Sequence, residues 1–250
     1  MAIRNQIPNA VTACNLLSGC IGIVILFQEG PLTASYFILA AGLFDLLDGL
    51  VARAIRASSS IGGELDSLAD LISFGVLPAL ICFVYLQASL TQAQITIQDD
   101  TPTSFSILPF FAFLIAVFAA IRLARFNLDS QQAKEFKGVP VPANALFWAG
   151  IPLAMEGPDI GIMTSGEDSL PFLVHPTFLL SMTLLFSVLM VSPIPCASFK
   201  FQDFAWKGNE VRYFLIGGIV LSLPLFFFNA LPFLVLLYPV LSLILQPKAP

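Results

Sequence analysis

The chain has 250 residues, of which 57% are hydrophobic and only 11% charged, with a formal net charge of -5 and a mean hydropathy of +0.88. That mix lies far outside the range of soluble globular domains and makes lipid the solvent of the fold. The acidic balance comes largely from external loops and intramembrane carboxylates and argues against nucleic acid as a partner.

Eight apolar stretches of helix-spanning length are predicted in chain order, at residues 9–27, 32–55, 65–86, 107–126, 141–155, 171–191, 211–227 and 231–245. The expected fold is all-α: a polytopic membrane helical bundle of about eight transmembrane helices, forming one membrane domain over residues 1–250. Pro224 and Pro232 flank a tight turn, so the last two stretches also fit a re-entrant pair. The first stretch is expected to be retained rather than cleaved, since only Arg4 precedes it and it carries Asn9, Thr12 and Asn15. These three lie on one helical face, where they line a pocket or bond to a neighbouring helix.

Numbering the gaps alternately places every basic residue on one side: Arg4, then Arg53 and Arg56, then Arg122, Arg125, Lys134 and Lys137, then Lys200, Lys207 and Arg212, then Lys248. The opposite gaps hold Glu29, Asp99, Asp100, Glu156, Asp159, Glu167 and Asp168. By the positive-inside rule both termini are cytoplasmic. The cysteines, Cys14, Cys20, Cys82 and Cys196, lack ligand spacing and read as small packing residues. His175, Trp148 and Trp206 read as interfacial residues without a catalytic role.

The informative stretch, residues 43–78, reads LFDLLDGLVARAIRASSSIGGELDSLADLISFGVLP. Asp45 and Asp48 are three apart on one predicted helix, and Asp66 and Asp70 four apart on the next. Each pair therefore projects from one face with Cβ atoms roughly 5–6 Å apart. Asp48 precedes Arg56 by about 12 Å of helix at 1.5 Å per residue, which sets the carboxylates just inside the cytoplasmic boundary. Four ionised carboxylates in hydrocarbon are costly unless cations neutralise them. No His or Cys stands in the cluster, so the donors are oxygen alone, which selects Mg²⁺ or Mn²⁺ over Zn²⁺. Two such ions suit attack at phosphorus. Gly49 and the 58–63 turn let a ligand approach the backbone, and Arg53 reaches a phosphate from one turn beyond Gly49. Read from the carboxylates alone, a secondary transporter or an ion relay remains open.

At these residues the sequence resembles the CDP-alcohol phosphotransferase family, whose pattern D-x2-D-G-x2-A-R-x8-G-x3-D-x3-D is matched by Asp45, Asp48, Gly49, Ala52, Arg53, Gly62, Asp66 and Asp70. The resemblance implies displacement of CMP from a CDP-linked substrate by an alcohol. It assigns two divalent metals to Asp45, Asp48, Asp66 and Asp70, with Asp70 also the general base. Asp48, Gly49, Arg53 and Gly62 would contact the nucleotide, with Ser59, Ser60, Asn9 and Thr12 as further contacts. Three more stretches, IPNAVTACNLLSG, RLARFN with FKGVPVP, and VSPIPCASFK, resemble the branch of the family whose donor is CDP-diacylglycerol and whose acceptor is L-serine. Arg122, Arg125, Asn127 and Lys137 cluster at the cytoplasmic end of the fourth span and would bind the serine carboxylate or the diphosphate. The same cations also serve to set topology. Other acceptors, glycerol 3-phosphate or inositol phosphate, and a silent scaffold stay open beside this reading. The resemblance further implies a homodimer, and the setting expected is a prokaryotic plasma membrane.

Overall fold

A computed structural model describes residues 3–55, 60–96, 106–128, 138–156, 171–194 and 231–245, all helical or connecting, with no strand among them. Helix α1 (Ile3–Glu29) and helix α2 (Pro31–Ala54) are joined by Gly30 alone. Gly30 has φ 98°, a left-handed conformation that favours glycine, and Pro31 opens the next helix at its first position. The two helices therefore form a hairpin.

Helix α3 (Ser60–Asp70) runs into a six-residue π-helical segment (Leu71–Val76) and on into α4 (Leu77–Thr96). A single predicted span thus contains a widened turn directly after Asp70, a feature that often accompanies functional sites. A 3-10 turn (Leu108–Phe113) precedes α5 (Leu114–Leu128), followed by α6 (Val141–Glu156). A second 3-10 turn (Pro171–Val174) leads to α7 (Pro176–Val191), and α8 spans Leu231–Leu245.

Among the described residues, four helical stretches are long and apolar enough to cross a membrane: Gln6–Glu29, Pro31–Ala54, Ile61–Thr91 and Leu108–Leu128. Helices α6 and α7 are shorter and also apolar. The predicted span at 211–227 lies outside the described residues, as do Arg56, Ser59, Lys134, Lys137, Cys196 and Trp206 and the side chain of Ser60.

Helix α6 is central. Val141, Ala145, Phe147, Trp148, Ala149, Ile151 and Leu153 are all fully buried, and Phe147 stacks on Phe186 of α7 with ring centroids 4.5 Å apart. Trp148 is therefore not the interfacial residue that its indole suggests: it lies in the core, its Nε1 donating to Asn144 Oδ1 at 3.1 Å. A partner four residues back removes the need for the interface. His175 caps α7, its ring nitrogen accepting from the Thr177 amide. Cys82 is buried against Thr183, whereas Cys14 and Cys20 are exposed on α1 rather than packed inside.

Close backbone approach is concentrated at a few glycines. Gly138, at φ 75°, would set a Cβ 2.4 Å from the Met190 carbonyl oxygen, and a Cβ on Gly19 would meet Ser73 Oγ at 2.5 Å. The outer surface carries large exposed side chains, among them Leu17, Val24, Leu43, Leu46, Leu50 and Leu68. That is what a lipid-facing surface requires and a water-facing one avoids.

Candidate metal centre

The α2 and α3 carboxylates converge as their spacing predicts. Single oxygens of Asp45, Asp48 and Asp66 all lie within 4.8 Å of one another. Asp48 and Asp70 are buried, each 8% exposed, while Asp45 and Asp66 are half-buried. Asp70 closes α3 immediately before the π segment and lies within electrostatic reach of Asp45, Asp66 and Asp48. Two ionised carboxylates 4.8 Å apart repel by roughly 3.5 kcal/mol at an effective dielectric near 20.

Helix α1 supplies the neutral partners. Thr12 Oγ1 donates to Asp48 Oδ2 at 2.7 Å, and Asn15 Nδ2 donates to Asp70 Oδ1 at 3.1 Å. Ser73, in the π segment, donates to the Asn15 carbonyl at 2.9 Å and so ties α1 to the turn that follows Asp70. These donors are too few to satisfy the cluster. Asp66 Oδ1 and Asn15 Oδ1 are buried and, among the described residues, accept no hydrogen bond. Buried acceptors without protons to receive, grouped with ionised oxygens and free of His and Cys, are the donor set of a hard divalent cation. The residues present therefore fit a hard divalent cation.

The remaining predicted residues fall into separate groups. Asn9 is half-buried on α1, one turn before Thr12. Gly49 is half-buried on α2, and a Cβ added there would meet nothing nearer than the Arg53 guanidinium at 3.9 Å. Packing among the described residues gives no reason for glycine at that position. Arg53 is exposed and Gly62 half-buried in the first turn of α3.

Arg122 is buried on α5, 9% exposed. Arg125 is exposed and donates to the Val191 carbonyl at 3.3 Å, placing its charge at the C-terminus of α7, where a helix favours a cation. Asn127 donates to Glu64 at 3.3 Å and accepts from Ser67 at 3.1 Å, bridging α5 to α3. Of the cations grouped by sequence at the end of the fourth span, Arg122 is therefore buried and Arg125 exposed and tied to α7. Ser73, Glu64 and Ser67 carry no signal in the sequence, since their partners lie more than fifty residues away.

Comparison with known proteins adds an independent line. The family model for CDP-alcohol phosphatidyltransferase matches residues 5–194. The chain is 30% identical over 220 residues to the CDP-diacylglycerol–serine O-phosphatidyltransferase of Helicobacter pylori, covering 86% of this chain and 80% of that protein. It is also 30% identical over 200 residues to the Bacillus subtilis protein of the same name, covering 78% and 92%. The Mycobacterium tuberculosis protein of that name is 33% identical over 197 residues, covering 76% of this chain and 60% of its own length.

Proposed function

Because the chain belongs to the CDP-alcohol phosphatidyltransferase family, we propose that it transfers the phosphatidyl group of CDP-diacylglycerol to L-serine, yielding phosphatidylserine and CMP. The observation that carries this reading is the convergence of Asp45, Asp48 and Asp66 within 4.8 Å, with Asp70 held beside them by Asn15. The names of the relatives supply the donor and the acceptor.

Asp45, Asp48, Asp66 and Asp70 would hold two divalent ions. When bound, these supply positive charge to a diphosphate and its leaving group. Asp48, held by Thr12, directly precedes Gly49, where an added Cβ would meet nothing nearer among the described residues than the Arg53 guanidinium at 3.9 Å. The cytidine diphosphate packs there, with Gly49, Gly62, Asn9 and Thr12 lining the pocket and Arg53 meeting a phosphate. Ser59 and Ser60 are further contacts from the turn. Asp70 takes the serine hydroxyl proton as the hydroxyl oxygen bonds to the β-phosphorus. The bond from that phosphorus to the oxygen of CMP breaks, and CMP leaves with the electron pair. Arg122 and Lys137 bind the serine carboxylate, while Arg125 and Asn127 hold α5 against α7 and α3 and so shape the mouth.

The one-sided distribution of basic residues supports eight spans, a single membrane domain over 1–250, and both termini and the site on the cytoplasmic side. We place the protein in a prokaryotic plasma membrane as a homodimer.

The test is CMP release by detergent-purified protein given CDP-diacylglycerol and Mn²⁺ or Mg²⁺, with L-serine, glycerol 3-phosphate, inositol phosphate or no alcohol. Serine-dependent, EDTA-sensitive release is expected. Release with another alcohol alone rejects serine and keeps the family chemistry; substrate flux without CMP would instead mean a transporter.

A further inference from the structure

Asn15 lies outside the aspartate pattern, one turn beyond Thr12. Its side chain is fully buried, and its Nδ2 donates to Asp70 Oδ1 at 3.1 Å. Charge fixes the orientation of this amide: its oxygen turned toward the carboxylate would set two acceptors together with no proton between them, so the nitrogen faces Asp70. Oδ1 is then left buried with no hydrogen-bond partner among the described residues.

The backbone at Asn15 is held as firmly as the side chain. Ser73 Oγ donates to the Asn15 carbonyl at 2.9 Å. One turn further on, Gly19 meets the same serine so closely that a Cβ would lie 2.9 Å from its Cα. Helix α1 is pressed against the π segment, and the carboxamide keeps its place beside Asp70. A buried acceptor without a donor is costly. A second, Asp66 Oδ1, belongs to the same group of carboxylates. A cation would satisfy acceptors of this kind, since it fills lone pairs without bringing protons.

We propose that Asn15 is part of the metal centre, its nitrogen holding Asp70 in position and its carbonyl oxygen serving as a neutral donor to a divalent cation among the aspartates. Carboxamide oxygens are ordinary ligands of hard divalent cations. Groups that orient ligands are worth about 10- to 100-fold in metal affinity. The inference rests on the metal reading above and is independent of which alcohol is the acceptor.

The experiment is Mn²⁺ binding to purified protein, read from the EPR signal of free Mn²⁺ without donor or alcohol. Asn15→Leu, which removes both polar atoms, should bind Mn²⁺ about 10- to 100-fold more weakly than the unmodified protein. Asn15→Asp keeps an oxygen in the same place and adds charge, so it should bind more tightly while turning over poorly. Unchanged Mn²⁺ affinity in folded Asn15→Leu overturns the proposal. Should that variant fail to fold, Asn15→Asp decides alone, and affinity no tighter than that of the unmodified protein overturns it. Absence of Mn²⁺ binding by the unmodified protein removes the metal reading altogether. Binding without serine-dependent CMP release removes only the choice of acceptor.

Discussion

Gly49→Ala separates packing from function, because the structure gives the two effects opposite signs. Glycine in a helix interior costs about 0.8–1.0 kcal/mol relative to alanine. At Gly49 the added methyl would meet nothing nearer among the described residues than the Arg53 guanidinium at 3.9 Å, an ordinary contact with the end of a flexible side chain. The substitution should therefore stabilise the folded protein and raise Tm by roughly 2–4 °C per kcal/mol for a chain of this size. If the nucleotide packs against that backbone, the same methyl intrudes on the ligand. Overpacking costs typically 1–3 kcal/mol, which corresponds to ~5- to 150-fold in kcat/KM for CDP-diacylglycerol. The assay pairs CMP release over a range of donor with thermal unfolding followed by tryptophan fluorescence. Unchanged kcat/KM would refute the nucleotide contact, and a fall in Tm would refute the account of the space over Gly49.

Gly138→Ala should behave in the contrary way: with φ 75° and a Cβ 2.4 Å from the Met190 oxygen, it should lose about 2 kcal/mol or more of stability, seen as a lower Tm before any kinetic effect. Thr12→Val removes the 2.7 Å bond to Asp48, and loss of a hydrogen bond to a charged group costs about 1.5–3 kcal/mol. Donor kcat/KM should fall by ~10- to 150-fold, with recovery in Thr12→Ser; equal activity in the valine variant would mean that this bond is incidental. Asp70→Asn should abolish turnover while CDP binding, measured by calorimetry, persists; normal turnover would end the assignment of Asp70 as base. Lys137→Ala should raise the serine KM more than the donor KM, and an unchanged serine KM would return Lys137 to setting topology.

Much of the bundle was legible because membrane spans announce themselves by uninterrupted hydrophobicity. The predicted start at 141 and the whole of 231–245 coincide with α6 and α8. The carboxylate cluster was legible for a related reason: spacings of three and four on adjoining helices leave few other arrangements. The π segment was not, since nothing local in LISFGV calls for a wide turn; its Ser73 bonds to a carbonyl 58 residues away. Trp148 was misread because an indole in a membrane chain suggests the interface, whereas Asn144, four residues earlier, supplies the partner that lets it sink. Arg125 was legible as a cation and not as a tether, because its acceptor is a backbone oxygen 66 residues on. Asn15 was visible as one of a polar face; that its nitrogen would meet Asp70 depends on how α1 leans against α3.

The exposed leucines on the far side of α2 from the carboxylates set the terms in which the enzyme meets lipid. Leu43, Leu46 and Leu50, each 47% exposed or more, turn away from Asp45 and Asp48 on the same helix. On the proposed function the donor is itself a lipid, its tails staying among other tails and each buried methylene worth about 0.8 kcal/mol. The quantity that governs occupancy is then a mole fraction in two dimensions rather than a molarity in three. Diluting the donor with inert detergent at constant total amount should slow the reaction, and shortening its chains should weaken it even though no atom of the headgroup has changed.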